Sequence, residues 1–149
     1  MKIPVDITIR TDKTMDDPLG GSNRREECET TVAGFMRTTR RGLMLEYYEQ
    51  DEGSGTITTL VDLPHNGMVM LNRGGESGMI FESGKTHCCV FNNGVLPMEI
   101  RVRTDALTNT ISKSGGRLDV DYTVDIIASR AEQSHLSLSV MPQHPPAVS

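Results

Sequence analysis

The chain has 149 residues, a formal net charge of −5, 36% hydrophobic residues, 4% aromatic residues and no tryptophan. That length suits one domain with a sizeable core, and the acidic balance argues against general nucleic-acid binding, which needs a basic footprint. With so few aromatics, the interior is expected to rest on Ile, Leu, Val and the nine methionines, which are adaptable filler.

Apolar runs such as Met68–Leu71 fall far short of the roughly 20 residues that cross a bilayer. Near the start, Asp6, Thr8 and Arg10 interrupt any signal-like apolar stretch. Cys28, Cys88 and Cys89 are an odd set that makes no disulfide framework. These features point to a cytoplasmic protein with no membrane or nucleic-acid partner.

Period-two alternation dominates the chain and predicts strands near 3–10, 27–38, 43–50, 56–63, 68–73, 78–82, 86–92, 98–104, 117–128 and 135–141. Ile3, Val5, Ile7 and Ile9 alternate with polar neighbours, as do Leu118, Val120, Tyr122 and Val124. One apolar face and one charged face suit an antiparallel sheet. Gly53-Ser54-Gly55, Asn66-Gly67, Gly74-Gly75, Asn93-Gly94 and Gly115-Gly116 supply hairpin turns between the runs.

About ten short-linked strands make an all-β, single-domain meander closing as a barrel over residues 2–141. A two-sheet sandwich is the rival, but closure removes exposed edges. Residues 11–25 are expected to be a polar loop, 105–114 a helical turn or irregular strand, and 142–149 a flexible tail.

The familiar chemical motifs fail. Ser83-Gly84-Lys85-Thr86 lacks the earlier glycine of a phosphate loop, since position 79 is Met79, and a strand follows it instead of a helix. Arg73–Gly78 reads as a hairpin turn. His87 and Cys89 share a strand face, but no further ligand set is evident. Arg37, Arg40 and Arg41 suit a charged hairpin tip, and Arg101 and Arg103 are expected opposite Asp119 or Asp121. No catalytic residue, metal site or cofactor is assigned.

Following the meander, the inward residues include Leu43, Leu45, Tyr47 and Glu49; Ile57, Thr59 and Val61; Val69, Leu71 and Arg73; Met79 and Phe81; then His87, Cys89 and Phe91. Glu49 and Arg73 then point inward at one mouth. They form either part of a ligand site or a structural ion pair closing that end. Tyr47 and Tyr122 add polar tips on apolar bodies. The strands containing Met44, Met68, Met70 and Ile80 are apolar on both faces, so their outer side is a candidate homodimer interface.

Leu45-Glu46-Tyr47-Tyr48-Glu49, Arg73-Gly74-Gly75-Glu76, Met79–Gly84, His87-Cys88-Cys89, Ile100–Thr104 and Gly115–Leu118 occur in an order and spacing that resembles the YwiB-like family of bacterial proteins of unknown function. The resemblance covers roughly residues 2–141. It implies a calycin-like, lipocalin-like β-barrel in the bacterial cytoplasm and no particular reaction. The family pattern has a Thr-Pro-aromatic-Gly turn where this chain has Asn92-Asn93-Gly94-Val95, and a shorter loop at 11–25.

The leading reading is a non-enzymatic module holding a small, partly apolar ligand in the barrel, lined by Tyr47, Glu49, Arg73, His87, Phe91 and Tyr122. The alternatives are a protein–protein interaction or regulatory module with a filled barrel, and an enzyme using His87 or Glu49 as a base.

Overall fold

The computed structural model describes residues 2–15, 24–51, 55–74, 77–92, 97–126 and 131–143. These form ten strands: β1 (Lys2–Met15), β2 (Arg24–Thr38), β3 (Gly42–Asp51), β4 (Gly55–Pro64), β5 (Val69–Arg73), β6 (Ser77–Phe81), β7 (Thr86–Asn92), β8 (Pro97–Asn109), β9 (Gly116–Ile126) and β10 (Ala131–Pro142).

One antiparallel sheet runs β6-β5-β4-β3-β2-β1-β10-β9-β8-β7. The predicted meander is therefore present, and β1 against β10 joins its two ends. The sheet curls into a nearly closed barrel, because strand twist brings the two edge strands together and leaves little edge exposed. Among the described residues no ladder joins β6 to β7. The connecting turn bonds instead to β8, with Gly84 N donating to Thr104 O at 2.9 Å and Thr104 N to Lys85 O at 3.0 Å.

The inward parity is as expected. Val5, Ile7, Met36, Leu45, Val61, Phe81, Val102, Leu118, Val120 and Leu138 are each 0% exposed. Coming from eight strands around the ring, they leave no water-sized void beside them, so the barrel's midsection is solid. The methionines are not the filler the composition suggested. Among the described residues only Met36 is fully buried; Met44, Met70 and Met79 are half-buried, and Met141 is exposed. Branched aliphatics hold the centre because inward positions on a pleated sheet favour compact, stiff side chains.

Several expectations need correction. Residues 11–15, 24 and 25 are strand, not loop: β1 and β2 pair through Met15 and Arg24. Both faces are polar there, so alternation was silent. The hairpin arm is tied by Arg25, which donates to both Asp12 carboxylate oxygens at 3.0 and 2.7 Å. Residues 105–109 continue β8 after a bulge at Thr104/Ala106, which is the irregular strand and not the helical turn. Its register sets Arg103 against Thr123 and Arg101 against Asp125, so neither faces Asp119 or Asp121. Pro142 is not tail: it pairs with Val5, and Gln143 N donates to Pro4 O at 2.9 Å. The expected loop at 16–23, the Gly53-Ser54, Gly75 and Asn93-Gly94 turn residues and the tail beyond Gln143 lie outside the described residues.

The β2–β3 ladder is short, covering only Gly34–Thr38 against Leu43–Tyr47. Beyond it the two strands separate toward the mouth formed by the ends of β1, β3, β5, β7 and β9. At the last shared pair the backbones crowd, and only glycine fits at position 34: a Cβ there would sit 2.4 Å from Glu46 O and 3.0 Å from Tyr47 Cβ.

Candidate functional site

At that flared mouth, two sets of inward polar side chains repeat one pattern. Tyr47 on β3 lies opposite Thr59 on β4, which lies opposite Arg73 on β5. Tyr122 on β9 lies opposite Ser134 on β10, which lies opposite Lys13 on β1. Each row reads tyrosine, hydroxyl, cation, in the same sense around the ring. Each also carries a glutamate one inward step nearer the opening. Glu49 accepts from Thr59 Oγ1 at 3.4 Å and pairs with Arg73 Nε at 3.9 Å. Glu132 accepts from Ser134 Oγ at 3.4 Å and pairs with Lys13 Nζ at 3.6 Å.

These chains grade from dry to wet. Tyr47 and Tyr122 are 3% and 7% exposed, whereas the Arg73 and Lys13 side chains are 45% and 42% exposed. Burial pushes the Tyr47 hydroxyl far above the usual phenol range, and the Glu49 carboxylate adds to this. Burial also raises Tyr122. Both stay neutral phenols, bonded to Thr59 and Ser134 respectively. The carboxylate–cation pairs are loose and half-solvated, worth about 0–1 kcal/mol each. They contribute little to stability and leave the cations free to take another partner.

Of the residues expected to line a pocket, Tyr47, Glu49 and Arg73 are brought together. Tyr122 belongs to the second row, its ring tilted against Phe81 with centroids 4.8 Å apart. His87 is not part of this mouth. It sits near the start of β7, at the other end of the barrel, with Nε2 3.0 Å from Glu82 Oε1. Hydrogen bonds from His87 and Lys85 hold the Glu82 carboxyl below its usual range. Phe91 lies on β7, but its side chain is outside the described residues. Sequence reading missed Lys13, Ser134 and Glu132, because the first fell in a supposed loop and the others lay just outside the strand expected over 135–141. The usable signal was the inward parity of Leu136 and Leu138 run backwards by two and four residues.

A second polar cluster lies on the outer face of β1, β9 and β10. His135 Nδ1 meets Asp121 Oδ1, and its Nε2 lies 3.3 Å from Asp119 Oδ1. With Asp12, Arg25 and Asp105 it borders a groove of about 470 Å³. Among the described residues no group of three or more His, Cys, Asp or Glu side chains is placed to hold a metal ion. The cluster is a cross-strand charge ladder of the kind that pins register. Among the described residues no helix is long and apolar enough to cross a membrane.

The fold and the mouth thus define a small antiparallel β-barrel with a solid waist and one polar, flared end. Residues 7–138 match the family described as Domain of unknown function (DUF1934), and the chain belongs to that family. Its fold is similar to that in the crystal structure of ywiB protein from Bacillus subtilis: the TM-score is 0.75 at 18% identity, covering 96% of this chain and 94% of that one. This agrees with the YwiB-like motifs in the sequence. No curated protein matches the chain.

Proposed function

We propose that the protein is a non-enzymatic binding module that takes a small, partly apolar molecule at the flared mouth. The observation that carries this is the repeated tyrosine–hydroxyl–cation row with its glutamate. Folding alone does not require eight polar side chains on the inner wall of an apolar barrel, and converging polar groups over an apolar floor are the usual form of a ligand site. The solid midsection limits the ligand to the end of the barrel. Its apolar body would rest toward the half-buried Leu71 and Met79, and its polar head would meet Arg73 and Lys13. This is a narrower form of the calycin-like reading, in which the ligand lies inside the barrel.

Native mass spectrometry on the chain purified from its own cells tests this. An adduct of small-molecule mass, lost on denaturation and absent from Arg73→Ala and Lys13→Ala variants, is the expected result. A clean unliganded mass from repeated preparations, or an adduct indifferent to both variants, removes the reading.

One observation favours a second reading, self-association through the outer wall. Arg37, Met44, Asp62, Met70 and Ile80 form one outward row across β2 to β6. Asp62 is half-buried and makes no ion pair among the described residues. Arg37 is only loosely paired, its Nη2 3.7 Å from Glu46 Oε2, and its Nε is buried without a partner. A twofold axis at Met44 sets Arg37 of one copy against Asp62 of the other, so the row is self-complementary. The same wall carries a groove of about 440 Å³ bordered by Met70, Ile80 and Val90, the last 51% exposed.

A further inference from the structure

The opposite end of the barrel differs from the flared mouth in both shape and charge. A depression of about 590 Å³ opens there, between the β2–β3, β4–β5 and β8–β9 turns. Its apolar surface comes from Leu43, Leu63, Leu107 and Ile111. Three of these, Leu43, Leu107 and Ile111, stay half-buried, although the midsection just beyond them is fully packed. Half-wet leucines in a concavity are a standing hydrophobic cost that an apolar guest would relieve.

The rim is already built. Thr39 N donates to Gly42 O at 2.7 Å, and His65 N donates to Arg41 O at 2.7 Å, which locks two of the turns together. Ile111 N donates to Asn109 Oδ1 at 3.0 Å and fixes the third. Among the described residues no carboxylate borders the depression, whereas Lys113 and His65 do. Lys113 makes no ion pair among the described residues. Arg40 and Arg41 stand exposed on the turn whose ends, Thr38 and Gly42, also border it. In a chain of net charge −5 this is a local reversal of sign. Cations grouped round a low-dielectric concavity focus field on it and raise the local concentration of anions.

We propose that this depression is a binding site for a small amphiphilic anion, with an aliphatic chain on the leucine floor and a carboxylate or phosphate head at Lys113 and the Arg40–Arg41 turn. The site is independent of the polar mouth, because the solid waist separates the two ends.

The test is an amide-shift titration of the full-length protein with decanoate below its micellar concentration, repeated with decyl phosphate. Saturable shifts at Leu43, Leu63, Leu107 and Ile111 are expected, with a midpoint of their own, independent of any shift at Tyr47 or Arg73. Lys113→Glu should weaken binding roughly tenfold, and uncharged decanol should bind correspondingly less well than decanoate. The shifts at those four residues should be the same in Arg73→Ala, which separates this site from the flared mouth. Vesicles of phosphatidylglycerol offer the same head and tail from a bilayer. Sedimentation with those vesicles, without any response to free decanoate or decyl phosphate, would overturn the proposal in favour of surface adsorption. So would shifts scattered over the barrel, or equal affinity in Lys113→Glu when its remaining spectrum shows a native fold.

Discussion

Tyr47 and Tyr122 show how one residue can serve both core and site. Their rings fill the barrel and their hydroxyls begin the polar rows. Because burial raises both phenols in the folded state, the unfolded chain loses those protons first as pH rises. The sign follows directly: their stabilisation is complete below the ordinary phenol range and declines once the unfolded tyrosines begin to ionise, near pH 10. Urea unfolding should show stability falling by about 1.4 kcal/mol in all between pH 9 and 11 for each tyrosine that titrates only in the unfolded state, with the slope steepening toward about 1.4 kcal/mol per pH unit above that window. A Tyr47→Phe, Tyr122→Phe double variant should lose that part of the slope. An unchanged slope would mean that the hydroxyls are not dry.

At the scale of elements, the contact between β2 and β3 decides the shape of the flared mouth. The two strands meet over five residue pairs and then part. Gly34 stands at the last pair, where any side chain would strike the β3 backbone. Gly34→Val should therefore cost roughly 2 kcal/mol or more, since an overpacked site must shift backbone. It should also prise the strands apart toward Tyr47. Chemical denaturation would measure the first effect, and faster amide exchange at Met36 and Leu45 the second. A neutral substitution would show that this pairing does not hold the mouth. The β1–β2 arm behaves differently. Its polar residues on both faces hid it from pattern reading, and the Asp12–Arg25 pairing that supports it is a matter of register, not of hydrophobicity.

For the whole molecule, the apolar outer wall and the Arg37–Met44–Asp62 row predict a dimer. Sedimentation velocity at micromolar concentration should find it. Asp62→Arg and Arg37→Asp should each shift it to monomer, and the two together should restore it, because the swap keeps the row self-complementary. A monomeric wild-type chain would end this reading. So would a dimer that ignores all three variants.

Much of this was legible in the residues. Alternation alone supplied ten antiparallel strands, their order as a meander and the inward parity that set Tyr47, Glu49 and Arg73 on one wall, because a period of two is a local property of the backbone. Three things were decided only by tertiary structure. The waist is solid because side chains from eight strands meet on one axis, which no single strand's pattern reveals. His87 and Arg73 lie at opposite ends, because a barrel separates the start of one strand from the end of another even when both face inward. The Lys13–Ser134–Tyr122 row and the cationic leucine depression exist because sheet register and converging turns bring together residues far apart in the chain, and those distances are a property of the curled sheet.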